Sequence, residues 1–286
     1  MEWLPAMLLK PDGQQEEWKC FEKDLTKEIY LSCSVNWQNQ LYIFGGESQK
    51  RQILRLTGHK LEYAGQLSFD HKMGACSVMA DQYIFLCFGT TPFFADSNRC
   101  RRSTGPLNQF TDIALSTYDH GLTQTSCSES KYKKLFNKLI IYLAVLVAVG
   151  DFISKKSEIF VDEKWAIIED PPINGVAITA YATIFHAGYH YYFGGYTASR
   201  IRSIIRLEEK SWTWSNYGEM NTARQGHGVI LFDDRFLVIG GYYTKKNEVC
   251  QFDADKLTCT EFASSLSNYE NTPSLFIVDI DSESCQ

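Results

Sequence analysis

The chain has 286 residues, of which 44% are apolar and 22% charged, a composition typical of globular domains rather than of disordered or coiled-coil chains. The length fits one large domain or two ordinary ones, since all-β domains reach about 250 residues. Aromatic residues are frequent, with 18 Phe, 16 Tyr and 6 Trp, which favours β-strands. The net charge of −6 argues against nucleic acid or an anionic membrane as a partner, because both attract positive surfaces.

Nine cysteines are scattered along the chain, and no two of them have the C-x-x-C spacing of zinc ribbons or thioredoxin-like sites. Residues 1–5 do not form a basic segment followed by a long apolar core, so no signal peptide is predicted. This favours a cytoplasmic protein, with secretion as the alternative.

An apolar run covers residues 139–149. It is shorter than the about 20 residues that a membrane-spanning helix needs, so we interpret it as a buried strand or two. The run contains no polar turn that would divide it into two strands.

A repeated motif, in which an apolar strand ends in two glycines, runs along the chain. The second-glycine positions are 46, 89, 151, 195 and 241, spaced by 43, 62, 44 and 46 residues. The third repeat therefore carries an insertion of about 18 residues, the excess of its spacing over the others. The motif glycines are Gly45, Gly46, Gly89, Gly150, Gly194, Gly195, Gly240 and Gly241.

After each motif, except in the second repeat, an apolar residue, four connecting residues and a large apolar residue predict a hairpin. Another strand pair precedes the glycines, so each repeat holds about four antiparallel strands. Four strands in a unit of about 44 residues are typical of a β-propeller blade. The predicted hairpin pairs are Leu56/Leu61, Phe160/Trp165, Leu207/Trp212 and Phe252/Leu257.

The segment 220–228, with Arg224 and His227, precedes a strand that ends in Gly240 and Gly241. This pattern resembles the kelch-repeat β-propeller family, and the resemblance covers residues 30–266. It implies an all-β kelch-type propeller in which the glycines turn the chain sharply at positive φ. It also implies structural roles for Trp18, Trp165 and Trp212, which would open fourth strands and pack between blades, and for a buried, hydrogen-bonded His227.

We expect a single domain over residues 1–286, with blades near 30–70, 71–117, 118–173, 174–222 and 223–266. Residues 16–25, with Trp18, look like a fourth strand, and residues 275–278 look like a first strand. A sixth blade from residues 1–29 and 267–286 would therefore close the ring and remove its open edge. We expect a monomer.

The sequence contains no nucleophile elbow, phosphate-binding glycine loop or H-E-x-x-H motif. His186 and His190 are four residues apart, but on a predicted turn rather than a helix, so no metal site is predicted. No catalytic residue and no cofactor are assigned. The resemblance implies a non-catalytic protein-interaction module, and the alternative is a propeller that binds or modifies a small molecule or carbohydrate.

Basic residues follow nearly every glycine motif, in loops expected to open on one face of the propeller. Such cations, with aromatic neighbours, suit an acidic or phosphorylated peptide, although solvated loop tips would give the same pattern. The candidate binding residues are Lys50, Arg51, Lys155, Lys156, Arg200, Arg202, Lys245 and Lys246, with Tyr196, Tyr242 and Tyr243 beside them. We expect the acidic residues to lie on the outer strands and the opposite face.

The last predicted hairpin places Cys250 opposite Cys259. Opposed residues on antiparallel strands are close enough for a disulfide after small adjustments. The same position also suits a pair of buried thiols that pack as small apolar side chains, and the sequence leaves both readings open.

Overall fold

The computed structural model describes residues 7–9, 15–17, 32–46, 49–57, 60–72, 74–79, 83–89, 98–104, 107–118, 120, 125–127, 134–136, 139–141, 145–150, 154–175, 177–242, 244, 246–253 and 256–265. All regular structure in this part of the chain is β-strand, as predicted. None of its elements is a helix long and apolar enough to cross a membrane.

The strands form two hairpins, three four-stranded antiparallel sheets and one eight-stranded sheet. The eight-stranded sheet consists of two antiparallel halves of four strands, which we count separately, so that the sheets are numbered I to V in chain order. The first hairpin is β1 (Met7–Leu9) with β2 (Gln15–Glu17). Sheet I is β3 (Cys33–Trp37), β4 (Gln40–Phe44), β5 (Gln52–Thr57) and β6 (Lys60–Gln66). Sheet II is β7 (Ala75–Met79), β8 (Tyr83–Cys87), β9 (Cys100–Ser103) and β10 (Phe110–Asp112).

Sheet III is β11 (Thr125–Cys127), β14 (Leu146–Val149), β15 (Ser157–Val161) and β16 (Lys164–Ile168). The second hairpin is β12 (Lys134–Phe136) with β13 (Leu139–Ile141), and it is inserted in the chain between β11 and β14. Sheet IV is β17 (Ala182–His186), β18 (Tyr189–Phe193), β19 (Ile201–Glu208) and β20 (Thr213–Arg224). Sheet V is β21 (Gly228–Phe232), β22 (Arg235–Ile239), β23 (Lys246–Asp253) and β24 (Lys256–Ser265). A short parallel contact between β20 and β24 joins the last two sheets.

The first strands of successive sheets contact one another in the order β3, β7, β11, β17 and β21. The five sheets therefore stand side by side around a common axis with their first strands innermost, as in a β-propeller. Among the strands that the structure describes, no comparable contact joins β21 back to β3.

The core lies between neighbouring sheets, because inner strands such as β14 bury both of their faces. In β14, Val147 and Val149 pack towards sheet IV, whereas Leu146 and Ala148 pack towards sheet II. Alternate residues of a strand point to opposite faces, so a strand between two sheets must be apolar at every position. This explains why residues 146–149, the second half of the apolar run 139–149, contain no polar side chain.

The first half of that run belongs elsewhere. Residues 139–141 form β13 of the inserted hairpin, and the first strand of sheet III is β11, upstream of the insertion. The run therefore contains only one strand of the sheet. It needs no polar turn, because the insertion itself connects the first and second strands.

Three of the four predicted hairpin pairs are confirmed: Leu56 with Leu61, Phe160 with Trp165, and Phe252 with Leu257. The fourth is wrong, because Leu207 pairs with Trp214. The turn in sheet IV has four residues, 209–212, instead of the two in the other three hairpins, which moves the opposing position two residues along the chain.

This shift changes which tryptophan has the structural role between sheets. The indole of Trp165 donates a hydrogen bond of 2.8 Å to the carbonyl of Ala114, which lies just after the last strand of the preceding sheet. The indole of Trp214 donates an equivalent bond of 2.7 Å to the carbonyl of Glu169. Trp212 instead lies in the turn at φ 55° and stacks on His190. Trp18 lies outside the described residues.

The glycine turns dock each sheet onto the segment that leads into the next one. Gly194 has φ 55°, and the amide of Gly195 donates a hydrogen bond of 2.8 Å to the carbonyl of Arg224. A Cβ on Gly194 would lie 2.7 Å from that carbonyl oxygen. The other motif glycines also have positive φ: Gly45, Gly46, Gly89, Gly150, Gly195, Gly240 and Gly241. We call the end of the sheets that carries these turns the glycine face.

Replacing Gly194 with Ala should destabilise the protein more than replacing Gly188 with Ala. Gly188 has φ 84° with no atom within 4 Å of an added Cβ, so Gly188→Ala should cost only the backbone strain of about 1–2 kcal/mol. Gly194→Ala should cost about 1–3 kcal/mol more, because it displaces the carbonyl of Arg224 from a buried hydrogen bond. Urea unfolding of both variants measures the difference, and equal losses would contradict the docking role of this turn.

The linkers between sheets also insert one buried side chain into the next sheet. Arg224 donates to a carboxylate oxygen of Glu248 at 2.7 Å and to the carbonyl of Gly240 at 2.7 Å, and both side chains are fully buried. Two sheets earlier, at the entry to sheet III, His120 has the same relation to Glu158, at 3.1 Å, and to the carbonyl of Gly150, at 3.0 Å.

Both glutamates also accept two backbone amides of the incoming linker: those of Asn221 and Thr222 at Glu248, and those of Thr117 and Tyr118 at Glu158. Burial alone would raise the pKa of Glu158, but the hydrogen bonds from His120 and the linker lower it below its usual value. The carboxylate is therefore kept charged in the interior.

The equivalent position entering sheet IV is apolar. There the linker residue Ile178 and the strand residue Ile205 belong to the same buried cluster. The three positions are equivalent, because each lies opposite the residue that stands two places before the first glycine of its turn. The pairs are Glu248 with Val238, Glu158 with Ala148 and Ile205 with Tyr192. The chain thus uses either a charged pair or an apolar pair at this junction.

Arg224→Ile should destabilise the protein by about 3–5 kcal/mol, because it leaves a buried carboxylate without its cation. Arg224→Ile combined with Glu248→Ile reproduces the apolar junction of sheet IV, so its loss should be smaller than the sum of the two single losses. Chemical denaturation of the two single variants and the double variant measures this coupling. Strictly additive losses would show that the two side chains do not act as a pair.

Candidate binding surface

The predicted cations that the structure describes lie on the glycine face. Each follows the second strand of its sheet, and each of these loops is tied to the linker that enters the next sheet. The amide of His71 donates to the carbonyl of Lys50 at 2.8 Å, and the amide of Ile178 donates to the carbonyl of Ser154 at 3.3 Å. The loops of sheets I and III therefore open at the glycine face, and the bond from Arg200 to the carbonyl of Tyr242 places the loops of sheets IV and V side by side. Tyr243 and Lys245 lie outside the described residues.

Most of these cations have a carboxylate partner on the outer part of their own sheet. The pairs are Arg51 with Asp70 at 2.6 Å, Lys156 with Asp170 at 2.8 Å, Arg202 with Glu219 at 2.8 Å and Lys246 with Glu261 at 2.6 Å.

The expectation that acidic residues lie on the opposite face is therefore wrong for this set. The end of each fourth strand returns to the glycine face, and its acidic side chain meets the cation there. The hydrogen bond and the charge of Asp170 raise the pKa of Lys156. Exposed pairs of this kind contribute only about 0–1 kcal/mol each, but they neutralise much of the positive field that the sequence alone suggests.

Arg200 has a different environment. Its guanidinium donates to the backbone carbonyl of Tyr242 at 3.0 Å, which links the loops of sheets IV and V. Tyr196 forms an isolated bridge to Arg200 in the same loop. The side chains of Tyr196 and Tyr242 are 40% and 42% exposed. We call Tyr196, Arg200 and Tyr242 the Arg200 patch.

The remaining described cations do not extend this patch. Lys155 donates to the carbonyl of Ile173 at 3.2 Å, in the linker that enters sheet IV. Lys50 is partly buried in the turn of sheet I. Among the predicted residues that the structure describes, the Arg200 patch is therefore the place where an arginine connects two loops that each carry a half-exposed tyrosine.

His190 and His227 are both fully buried. Burial lowers the pKa of His190 to about 3, and burial together with the charge of Arg224 lowers that of His227 to about 3. Both imidazoles are therefore neutral at physiological pH. His227 is fully buried, as predicted, and its hydrogen bond stays a prediction. Within the same part of the chain, no three metal-binding side chains cluster.

A groove of about 750 Å³ lies where the outer strands β20 and β24 meet. Gly218 allows this approach, because a Cβ there would lie 2.4 Å from the carbonyl oxygen of Leu257. The groove is lined partly by amide and hydroxyl side chains, including those of Asn216, Asn221 and Thr258. The sequence analysis did not identify this groove, because it depends on a contact between two outer strands of different sheets.

No protein-family model and no curated protein matches the chain. Among solved structures, the one titled "Structure of YjhT" is similar, with a TM-score of 0.63 and 9% sequence identity over 86% of this chain and 86% of that chain. At this identity the likeness concerns the fold alone. Together with the five radially arranged sheets, it shows that the protein has a β-propeller-like fold.

Proposed function

We propose that the protein is a kelch-type propeller with six blades. The segment containing Arg224 and His227, the glycine turns at positive φ and the Trp165 and Trp214 bonds between sheets support the kelch type. The missing contact between β21 and β3 among the described strands leaves a place for one more blade. In this proposal, residues 1–29 and 267–286 supply it.

Removal of residues 270–286 should lower the free energy of unfolding by several kcal/mol, because a closing blade and its contacts with both neighbours would be lost. Thermal and urea unfolding of the truncated chain measure this loss. An unchanged stability would exclude closure of the ring by this segment.

We further propose that the protein is a non-catalytic interaction module that binds an acidic or phosphorylated peptide at the glycine face. The observation that carries this proposal is the Arg200 patch, in which the guanidinium bonds to the backbone of Tyr242 and two half-exposed tyrosines lie in the adjoining loops. Arginine binds carboxylate and phosphate groups through paired hydrogen bonds, and tyrosine and arginine are enriched among the residues that dominate binding energy.

The other described cations of this face have a supporting role in the proposal. Arg202 is already paired with Glu219, and Arg51 with Asp70. An incoming anion must displace these carboxylates before it can use such a cation. Paired cations should therefore influence the approach of a partner more than its final affinity.

Binding can be tested by fluorescence anisotropy with labelled twelve-residue peptides that contain glutamates and one phosphoserine, and with matched peptides that contain glutamine and serine instead. The double variant Arg200→Ala and Arg202→Ala should weaken binding of the acidic peptides about tenfold or more, equal to about 1.4 kcal/mol or more. Binding should also weaken between 50 and 300 mM salt, because exposed charges are screened.

Arg51→Ala is the matched control, since it removes a paired cation from the same face without touching the Arg200 patch. Its effect on binding should be less than about twofold, because exposed pairs are weak. Binding that is indifferent both to salt and to the Arg200/Arg202 substitutions would contradict the proposal, and so would the absence of binding to any acidic peptide.

A second candidate is a carbohydrate-binding or carbohydrate-modifying propeller. It is favoured by one observation, the groove between β20 and β24 with its amide and hydroxyl lining. Such groups can match the paired donors and acceptors of a sugar. Saturation-transfer NMR with a panel of monosaccharides, repeated on Asn216→Ala, distinguishes the two: sugar binding lost in this variant would favour the second candidate.

A further inference from the structure

Six of the seven cysteines that the structure describes form disulfides: Cys33–Cys76, Cys87–Cys100 and Cys250–Cys259. The predicted register is confirmed for the last pair, because Cys250 lies directly opposite Cys259. Cys87 lies opposite Cys100 in the same way. Within this part of the chain only Cys127 is unpaired, and Cys20 and Cys285 lie outside the described residues.

The three bridges differ in their exposure to solvent. The four cysteines of the two bridges within sheets are at most 7% exposed, so a dissolved thiol cannot reach them in the folded protein. Cys33 and Cys76 are both partly exposed. Access of the attacking thiol is one of the factors that determine the rate of thiol–disulfide exchange.

The Cys33–Cys76 bridge also differs in what it connects. It joins β3 to β7, the innermost strands of sheets I and II, across a sequence separation of 43 residues. The two Cα atoms are 5.8 Å apart, within the usual range for disulfides. Sheet I stands at the end of the row of described sheets, so this bridge fastens an end sheet to its neighbour.

A buried histidine lies beside one sulfur of this bridge. The Nε2 atom of His71 is 3.3 Å from the Sγ atom of Cys33, and His71 is 2% exposed. Burial, with a further contribution from the charge of Arg101, lowers the pKa of His71 to about 4. The imidazole is therefore neutral at pH 7, and with its proton on Nε2 it would donate to the sulfur.

The same histidine favours Cys33 as the leaving sulfur. A thiolate formed on Cys33 would accept the hydrogen bond from Nε2 of His71. Positive charge and hydrogen-bond donors stabilise a thiolate, and the sulfur that forms the more stable thiolate leaves faster. Attack should then occur on Cys76.

We propose that Cys33–Cys76 is a thiol-exchangeable bridge between the first two sheets, whereas Cys87–Cys100 and Cys250–Cys259 are permanent. A low-molecular-weight thiol attacks as its thiolate at the Sγ atom of Cys76. The bond between the two protein sulfurs breaks, Cys33 leaves as a thiolate and takes a proton from water, and Cys76 is held in a mixed disulfide. A second thiol then releases Cys76 as a thiol, and the two small thiols leave as their own disulfide.

This assignment also requires oxidation during folding. The four buried cysteines can lose their protons and electrons to an oxidant, such as the disulfide of an oxidoreductase, only while they are still accessible. Disulfides of this kind are typical of oxidising compartments. The inference therefore favours secretion, the alternative left open by the sequence, and it does not depend on the peptide-binding proposal.

The test uses the full chain produced under oxidising conditions. It is exposed to increasing concentrations of glutathione without denaturant, quenched in acid and alkylated with iodoacetamide, and its cysteines are then mapped by mass spectrometry. Cys33 and Cys76 should become labelled at least about tenfold faster than the four buried cysteines, whose protection reflects their lack of access. The intermediate should carry glutathione on Cys76.

Three results would overturn the proposal. The first is simultaneous reduction of all bridges, the second is glutathione found mainly on Cys33, and the third is a native protein whose Cys33 and Cys76 remain free thiols in oxidised glutathione. Far-UV circular dichroism recorded alongside shows whether the fold persists while the first bridge opens.

The role of His71 is tested separately with His71→Leu and His71→Gln. The leucine removes the donor, so exchange should slow about tenfold and glutathione should be distributed between both sulfurs. The glutamine amide can still donate, so this variant should restore the preference for Cys76. If His71→Leu does not fold, the position of glutathione in the unchanged protein still decides the question, and equal behaviour of both variants would remove His71 from the mechanism.

Discussion

The fold depends on the close approach between a glycine turn and the backbone carbonyl of the linker that enters the next sheet. At Gly194 and Gly195 this approach is made possible by positive φ and by the missing Cβ, and it ends in a hydrogen bond to the carbonyl of Arg224. Because the same contact recurs at Gly46 with His71, it sets the position of each sheet relative to the next. The radial arrangement of the sheets follows from its repetition.

Once the linker is docked, its side chain must enter the interior of the next sheet, where an unpaired charge would be costly. The chain meets this requirement in two ways. At Glu158 and Glu248 a buried carboxylate accepts hydrogen bonds from a linker side chain and from two linker amides. At Ile205 the position is apolar and meets Ile178. At each of these junctions, the buried strand residue therefore matches the polarity of the linker side chain that enters the sheet.

The same docking brings the loops of neighbouring sheets together on the glycine face. The bond from Arg200 to the carbonyl of Tyr242 exists because two successive turns open side by side. It also brings the ends of the outer strands to this face, where Asp170 and Glu219 meet Lys156 and Arg202. The surface is thus a series of ion pairs with one arginine bonded to the backbone of the neighbouring loop, which suits selective rather than general attraction of anions.

The sequence by itself determined the strands, the glycine turns and the register of the hairpins with two-residue turns, because these depend on local periodicity and on the special φ of glycine. The opposition of Cys250 and Cys259 was predictable for the same reason. Where a turn was two residues longer, as before Trp214, counting along the chain gave the wrong partner.

Only the tertiary structure decided which residues from different sheets, or from distant parts of one sheet, are in contact. The partner of Arg51 is 19 residues away, in the linker that follows the outer strand of its sheet, and no local pattern marks it. Cys33 and Cys76 meet because β3 and β7 are adjacent at the axis, and β20 meets β24 because Gly218 permits it. Such contacts arise from the packing of whole sheets, so the candidate sites on this protein became visible only when the sheets were assembled.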